Sequence, residues 1–337
     1  MKKFVYERPG GVEVIRRIED SAPKPEPGYT IVKAQFGSVN HVDIWGRMDL
    51  PGQPFPRVFG SDLAGIVEDP GDGPFKKGDR VLLYPMKFCG TCERCLQGME
   101  NSCFYRALYG VHTDGFFSEL VKVPHANVLK IPDSVSLEYA AALPVAYTTA
   151  YHGLITRAGL RSGETLLVLG GSGGAGLAAL QIAKAVNSYV ITTTTYDWKK
   201  ELLKKAGADE VLPPDESLQE KVMSLTDGKG VDVVFDALGG KFVELALRVV
   251  KRGGKIVNMA MTTGSEVSFS IRALYANNVD LIGVYLGTRR DLYSLLTLAS
   301  RSRLKPIIDS VFPVDDVDKA QIRMEKRQHV GKILLRF

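Results

Sequence analysis

The 337-residue sequence lacks the features that mark several classes of protein. No stretch of about 18 residues is apolar enough to span a bilayer, so we expect no transmembrane helix. The net charge of +5 comes from Lys and Arg spread along the chain, without a basic block or an aromatic-rich basic patch. We therefore expect neither a nucleic-acid nor a membrane partner. The opening MKKFVYERPG reaches charge and proline too early for a secretory signal, so we expect a cytoplasmic protein.

Cysteine is scarce as well, and its distribution is informative. The four cysteines, Cys89, Cys92, Cys95 and Cys103, have the spacing C-x2-C-x2-C-x7-C. In a chain without an export signal this spacing favours a metal site over disulfides. Four thiolates complete a tetrahedral Zn²⁺ and leave no position open for substrate, so the pattern predicts one structural zinc ion per chain.

Short β-like runs separated by Pro and Gly fill residues 1 to about 130, among them 12–18 and 29–37. From about Leu137 the pattern becomes helical, and strand and helix signals then alternate to about residue 285. That alternation predicts an α/β protein with a doubly wound parallel sheet beside a β-rich domain. The last fifty residues break the alternation, and by themselves they fit either a third unit or a return to the first domain.

A glycine-rich junction lies between a predicted strand and a predicted helix. The run 165–169 is apolar, and Gly171, Gly173 and Gly176 follow it as G-x-G-x-x-G. Such a turn lets a pyrophosphate approach the N–H groups at the start of a helix. Because another strand-like run follows at 189–195, the sequence predicts a dinucleotide site that includes Gly171, Gly173, Gly174, Ala175 and Gly176.

These segments together resemble the medium-chain dehydrogenase/reductase superfamily. The resemblance rests on four runs, which lie at 78–103, 140–154, 168–184 and 329–335. It implies a GroES-like catalytic domain at 1–146 with a structural zinc lobe at about 85–105, a Rossmann domain that binds NADP(H) at 147–285, and a return of 286–337 to the catalytic domain.

The departures from the zinc alcohol dehydrogenases of this superfamily are equally informative. In those enzymes a cysteine, a histidine and a second cysteine hold a catalytic zinc, whereas the matching positions here are Asn40, Ser61 and Val145. Only the neighbouring Asp62 offers a good ligand. Val42 replaces the hydroxyl residue that relays the alcohol proton. We therefore expect no catalytic zinc.

The segment 38–67 is similar instead to the zinc-independent quinone oxidoreductase branch, whose members also carry Asn at the position of Asn40. Without a Lewis acid, hydride transfer favours acceptors that are already electron-poor. The resemblance thus implies NADPH-dependent reduction of a small electrophilic acceptor, such as a quinone, an enone or an acyl-CoA thioester. Two alternatives stay open: a zinc-dependent alcohol dehydrogenase with atypical ligands, and a non-catalytic NADPH-binding sensor.

The resemblance also assigns roles to individual residues. Asn40 is expected at the active-site floor, with turn capping as the alternative. Asp62 and Asp43 are expected to form a proton route or structural hydrogen bonds, and Tyr147 is expected to be a proton donor or a packed aromatic. His41 is expected to bring charge near the cofactor pyrophosphate, with a surface imidazole as the alternative. The other expected cofactor contacts are Thr149, Leu238, Asn258 and Met259.

The choice of cofactor is expected to depend on the end of the second Rossmann strand. Thr194, Thr195 and Lys199 there are compatible with a 2′-phosphate and favour NADP(H). A shift of three residues would instead make Asp197 the acidic ribose partner of NAD(H). Residues 280–285 read as an apolar edge strand, and in this family such an edge implies a homodimer or homotetramer.

Overall fold

The structure is a computed structural model that describes residues 1–48 and 53–337. Residues 49–52, inside the 38–67 segment quoted above, lie outside the described residues. The chain divides into two compact units: unit 1 comprises residues 1–146 and 288–337, and unit 2 comprises residues 147–287. The domain boundaries predicted from the sequence lie between residues 146 and 147 and between residues 285 and 286. The mixed α/β class, with a GroES-like and a Rossmann-like domain, is confirmed.

The strands are numbered in chain order. They are β1 (Lys2–Tyr6), β2 (Ile15–Glu19), β3 (Tyr29–Val39), β4 (Arg57–Val58), β5 (Asp62–Asp69), β6 (Arg80–Leu83), β7 (Met86–Lys87), β8 (Ala107–Leu108), β9 (Leu120–Pro124), β10 (Val128–Lys130), β11 (Thr165–Leu169), β12 (Tyr189–Thr193), β13 (Glu210–Leu212), β14 (Val231–Asp236), β15 (Val250–Asn258), β16 (Asp280–Gly283), β17 (Ile308–Pro313) and β18 (Lys332–Arg336).

The α-helices are numbered in the same way. They are α1 (His41–Met48), α2 (Glu93–Leu96), α3 (Leu137–Ala141), α4 (Thr148–Tyr151), α5 (Gly174–Ala185), α6 (Asp197–Lys205), α7 (Leu218–Leu225), α8 (Lys241–Val249), α9 (Ile271–Tyr275), α10 (Arg289–Ser300) and α11 (Val317–Glu325). None of the helices among the described residues combines the length and the apolar character that a membrane crossing needs.

Unit 1 is built on a sheet with strand order β10-β6-β5-β3-β18-β17, and β9 also pairs with β3. The long strand β3 is central because it pairs with β5, β9 and β18, all antiparallel. The C-terminal strand β18 therefore adds directly to the N-terminal sheet. Of the two arrangements open for the last fifty residues, the structure has the return to the first domain.

Unit 2 is a parallel sheet with strand order β13-β12-β11-β14-β15-β16. Its central strands β11, β12 and β14 are largely buried, as sheets covered on both faces require. The strand order runs toward the edge at β13 on one side of β11 and toward the edge at β16 on the other, so the switch point lies between β11 and β14. In such sheets ligands bind at the carboxyl ends of the strands next to that point. β16 forms one edge of the sheet, and pairing of two copies of the chain there stays a prediction.

Two strand predictions were wrong in detail. Residues 12–18 were expected to form one strand, but Val12–Val14 forms a 3-10 turn and β2 begins only at Ile15. The Glu13 side chain accepts a hydrogen bond from the Gly11 N–H at 2.8 Å, which favours the turn. The run expected to extend to Thr195 ends at Thr193, after which the chain turns toward α6.

Candidate functional site

The four cysteines converge in the loop that follows β7 in unit 1. Their Sγ atoms all lie within 4.8 Å of one another. The Sγ of Cys103 is 3.6 Å from that of Cys89 and 3.8 Å from that of Cys92, and the Cys89–Cys95 distance is 3.9 Å. A tetrahedral Zn²⁺ with Zn–S bonds of about 2.3 Å separates its sulfurs by about 3.8 Å. The donor set and its spacing therefore fit a structural zinc ion.

The acidity of these thiols differs from one cysteine to another. Backbone N–H groups of Thr91 and Cys92 lower the pKa of Cys89 to about 6, whereas burial raises the pKa of Cys95 to about 12. Thiols this close together need a cation before all of them ionise. Within residues 1–48 and 53–337, this is the one group of three or more Cys, His, Asp or Glu side chains with ligand atoms close enough to hold a metal ion.

The glycine turn joins β11 to α5 in unit 2, as its sequence predicts. A Cβ on Gly176 would lie 2.2 Å from the Gly170 carbonyl oxygen, so only glycine fits there. A Cβ on Gly173 would meet nothing nearer than 3.9 Å, which leaves room for a ligand. Gly173 caps α5 without a side chain, and Gly174, Ala175 and Gly176 form its first turn. The free N–H groups at this helix start fit a dinucleotide pyrophosphate.

The buried side chain of Lys199 lies next to this turn. The Lys199 side chain is 2% exposed, its Nζ is 3.4 Å from the Ser172 hydroxyl, and it lies 4.9 Å from the ring centre of Tyr196. Thr194 is buried, and its hydroxyl accepts the Tyr196 N–H at 3.3 Å. The Asp197 side chain, by contrast, is 92% exposed and pairs with Lys200 at 2.7 Å.

A second polar group lies at the carboxyl end of β14. One oxygen of the buried Asp236 carboxylate accepts the N–H groups of Leu238 and Gly239, and the other accepts the Asn258 amide at 2.9 Å. The Met259 N–H donates to the Asp236 carbonyl at 3.3 Å. Asp236 thus positions three of the predicted cofactor contacts, Leu238, Asn258 and Met259. The sequence analysis missed it, although an acid at the end of the run VDVVF was a usable signal.

The third polar group is formed by three neighbouring strands of unit 1. Ser38 on β3 pairs with Asp62 on β5, and Val39 pairs with Ile333 on β18. The Asp62 Oδ2 atom accepts hydrogen bonds from the Ser38 hydroxyl at 2.5 Å, the Asn40 amide at 2.9 Å and the Lys332 ammonium at 3.2 Å. Its Oδ1 atom accepts the Val145 N–H at 2.9 Å. Four donors therefore hold this carboxylate in place, three of them at Oδ2.

A catalytic zinc does not fit these residues. Asp62 already accepts four hydrogen bonds, one of them from an ammonium group, and the Ser61 hydroxyl donates to the Tyr109 carbonyl at 2.7 Å. Val145 has no ligand atom on its side chain. The side-chain amide oxygen of Asn40 accepts a hydrogen bond from the Lys332 ammonium at 2.6 Å. The side chains at these positions either lack a ligand atom or already make hydrogen bonds. Together they are not the donor set that zinc requires.

Burial changes the acidity of two groups beside Asn40. Burial raises the pKa of Asp43 to about 7, and its Oδ1 atom has no hydrogen-bond partner among the described residues. Burial, together with the positive charges of Arg327 and Lys332, lowers the pKa of His41 to about 4. The His41 imidazole is therefore neutral at pH 7, which disagrees with the charged role expected from the family.

The predicted residues of the first helix in unit 2 are buried. Tyr147 has no exposed surface, and its hydroxyl donates to the Gln181 side chain on α5 at 2.7 Å. Thr149 on α4 is 3% exposed. The placement of Tyr147 favours the packed-aromatic alternative, because its hydroxyl is held inside unit 2.

Two family models match the chain. One, described as "Zinc-binding dehydrogenase", covers residues 174–301, and the other, "Alcohol dehydrogenase GroES-like domain", covers residues 26–133. The first therefore starts within the glycine turn of unit 2, and the second contains the cysteine cluster and the strands β3 and β5.

Individual proteins match over nearly the whole length. A relative named acryloyl-coenzyme A reductase, from Metallosphaera sedula, is 32% identical over 95% of each chain. An NAD-dependent alcohol dehydrogenase from Sulfurisphaera tokodaii is 29% identical over 95% of this chain and 96% of its own. The crystal structure of an NAD-dependent alcohol dehydrogenase superposes with a TM-score of 0.93 at 31% identity and covers both chains completely.

Proposed function

Because the chain belongs to the medium-chain dehydrogenase/reductase superfamily, we propose that it is an NADPH-dependent reductase of α,β-unsaturated carbonyl compounds that works without a catalytic metal ion. Its oxidoreductase class follows from the family. The proposal adds the acceptor and the cofactor, and an unsaturated acyl-CoA thioester is the acceptor to test first, since the relative from Metallosphaera sedula carries the name acryloyl-coenzyme A reductase.

One observation supports the metal-free chemistry above all others. Asp62, the one good ligand beside the positions that hold catalytic zinc in the family, already accepts four hydrogen bonds, one of them from the Lys332 ammonium. An alcohol or an isolated ketone needs a Lewis acid to polarise its oxygen. A conjugated carbonyl accepts a hydride at its β carbon without that help.

The bound nicotinamide supplies the hydride, and a proton added at the α carbon completes the reduction. The chain would hold the dinucleotide with the glycine turn 170–176 and the N-terminus of α5. The enolate oxygen that develops needs a hydrogen-bond donor in a site that excludes water. The Asn40 amide is our candidate, because its second N–H reaches the Ser38 carbonyl only at the long distance of 3.4 Å.

The proposal is tested by measuring oxidation of NADPH at 340 nm with a crotonyl or acryloyl thioester, a cyclic enone, a quinone and, in reverse, ethanol with NADP⁺. We expect the unsaturated carbonyls to react with kcat/KM at least about 100-fold above that for the alcohol, roughly the gain that one electrostatic element gives. A higher kcat/KM for the quinone than for the unsaturated carbonyls would change the proposed acceptor class to quinones. Efficient alcohol oxidation would contradict the proposal, and cofactor binding without turnover on any acceptor would favour the sensor alternative.

The preference for NADPH is supported by the charges near the glycine turn. The Lys199 ammonium lies next to that turn, and the one nearby carboxylate considered as a ribose partner, Asp197, is exposed and paired with Lys200. A 2′-phosphate would gain a charge-assisted contact from Lys199. A ribose 2′-hydroxyl would gain no comparable partner from Asp197.

The Lys199→Ala variant should raise the KM for NADPH roughly 10- to 100-fold, because a hydrogen bond to a charged group contributes about 1.5–3 kcal/mol. The KM for NADH should change by less than about threefold, since NADH has no 2′-phosphate. Lys204→Ala, on the same helix, where the lysine is exposed and pairs with Glu201, is the matched control and should leave both values unchanged. Equal losses for both cofactors in Lys199→Ala would show that Lys199 acts through packing.

A further inference from the structure

Helix α1 begins directly after Asn40, so the position of the helix decides where the Asn40 amide lies. In its first turn the Asp43 Oδ2 atom accepts the Asn40 backbone N–H at 2.7 Å, and the Asp43 N–H donates to the Asn40 carbonyl at 3.0 Å. These two bonds join Asn40 to the helix. With eight residues, α1 is too short to be stable by itself, because isolated helices shorter than about 12 residues are marginal in water.

A buried arginine near the end of α1 connects this helix to α11. The Arg47 side chain is 2% exposed. Its Nη1 atom donates to the Gln321 Oε1 at 2.7 Å, its Nη2 atom pairs with the Glu325 carboxylate, and its Nε atom donates to the Gly10 carbonyl at 3.2 Å. Each nitrogen of the guanidinium therefore has an acceptor, as a buried cation requires.

The contacts of Gln321 lead back from α11 to α1. Gln321 is fully buried, and its Nε2 atom donates to the Tyr6 hydroxyl at 2.7 Å. That hydroxyl donates to the Asp43 carbonyl, in the first turn of α1, at 3.2 Å. Since a guanidinium can only donate, the amide oxygen of Gln321 must face Arg47 and its nitrogen must face Tyr6. Arg47, Gln321, Tyr6 and Asp43, called the α1 ring below, thus hold both ends of the helix.

The surroundings of Tyr6 leave the α1 ring without substitute partners. Tyr6 has no exposed surface, and its aromatic ring stacks on that of Phe59 with the centroids 4.0 Å apart. Burial, together with the charge of Asp43, raises the pKa of Tyr6 well above its usual value, so the hydroxyl keeps the proton that it donates. Because this hydroxyl is shielded from solvent, water does not replace a hydrogen bond that the α1 ring loses.

We propose that Arg47 is a positioning residue for the Asn40 amide. Through the α1 ring it fixes α1 against α11, and α1 then holds Asn40 in the orientation in which its amide meets the developing enolate. The part that concerns the enolate rests on the proposed function, whereas the control of the position of α1 does not.

The catalytic part is tested with Arg47→Met, which removes the guanidinium and keeps an unbranched apolar side chain. We expect kcat for enoyl-thioester reduction to fall about 10- to 100-fold, less than for loss of a donor that touches the substrate itself. The dissociation constant for NADPH should change less than about threefold, because the glycine turn proposed to bind the pyrophosphate lies in unit 2. A kcat within about twofold of the original would overturn the catalytic part.

A second arginine on α11 separates this effect from general destabilisation. Arg323 pairs with the mostly buried Asp309 at 2.7 Å, and neither residue contacts the α1 ring through a hydrogen bond among the described residues. Arg323→Met should therefore lower the melting temperature and leave kcat within about twofold of the original. An equal loss of kcat in Arg323→Met would show that destabilisation alone explains the effect of Arg47→Met, which would overturn the proposal.

The continuity of the α1 ring has its own test. Tyr6→Phe removes one oxygen atom and keeps the stacking on Phe59, so it breaks the ring at a second point in a protein that retains its core. It should also lower kcat, and the double variant Arg47→Met/Tyr6→Phe should be no slower than Arg47→Met within about twofold. Losses that multiply in the double variant would show that the two residues act separately, which would overturn the ring.

The position of α1 has a readout that needs no activity. Trp45 lies on α1 with its ring 6.1 Å from that of His41, and Trp198 is the only other tryptophan in the sequence. In a Trp198→Phe background, Arg47→Met and Tyr6→Phe should each shift the Trp45 emission to longer wavelength well below the melting temperature, whereas Arg323→Met should not. An unshifted Trp45 emission in both ring variants would overturn the control of α1. An unmodified protein without reductase activity would refute the proposed function and leave the Trp45 emission to decide the inference.

Discussion

The Gly176→Val variant is expected to lose NADPH affinity by roughly 10- to 100-fold. A Cβ at this position would lie 2.2 Å from the Gly170 carbonyl oxygen and 2.9 Å from the Gly171 Cα, and both neighbours are backbone atoms that cannot rotate away. Overpacking of this kind costs about 1–3 kcal/mol and must displace the turn from the start of α5. Equilibrium titration of NADPH fluorescence measures the loss.

Two further glycines separate a local loss of the site from general destabilisation. Gly173→Ala adds a Cβ that meets no protein atom nearer than 3.9 Å, so its melting temperature should not change. Its NADPH affinity should still fall, because the added methyl group would occupy the space predicted for the pyrophosphate. Gly283→Ala, at a position with nothing within 4 Å, should change neither property. Unaltered NADPH binding by Gly173→Ala would show that the pyrophosphate does not lie at this turn.

The Cys103→Ser variant is expected to lose its zinc and most of the order of the loop around it. Cys103 is the buried member of the cluster, and its Sγ accepts backbone N–H groups from Cys89 and Tyr105 as well as lying beside two other thiols. Binding of a structural zinc is worth about 10–16 kcal/mol in small zinc domains, and much of that free energy holds the fold of the segment. Zinc content should fall from one ion per chain to near zero after dialysis.

Limited proteolysis shows whether the loop itself has changed. Cleavage within residues 85–105 should become rapid in Cys103→Ser, and Ser102→Ala, a change one residue away in the same 3-10 turn, should resist it as the unmodified protein does. A Cys103→Ser protein that keeps one zinc ion and its resistance to protease would contradict the assignment of the four-thiolate site.

Local patterns in the sequence predicted the parts of the structure that depend on neighbouring residues. The cysteine cluster closes within fifteen residues, so its spacing alone predicts the donor set. The glycine turn likewise depends on one strand, one turn and one helix that follow each other in the chain. The alternation of strands and helices after residue 165 predicted the parallel sheet for the same reason.

The parts that depend on distant residues could not be predicted. Lys332 meets Asn40 only because β18 pairs with β3 across 292 positions, and no local pattern contains that register. The neutral state of His41 depends on burial and on two distant cations. The hydrogen bonds to Asp62 likewise require donors from β3, β18 and residue 145 together.

The central claim is that one metal ion stabilises the fold of this protein and that no metal ion takes part in the reaction it catalyses. It is tested most directly by counting metal by mass spectrometry in preparations whose rate of enoyl-thioester reduction has been measured. We predict one zinc ion per chain, a full reduction rate in that preparation, and no gain in rate when Zn²⁺ is added. A second metal ion per chain whose removal abolishes the reduction would contradict the account.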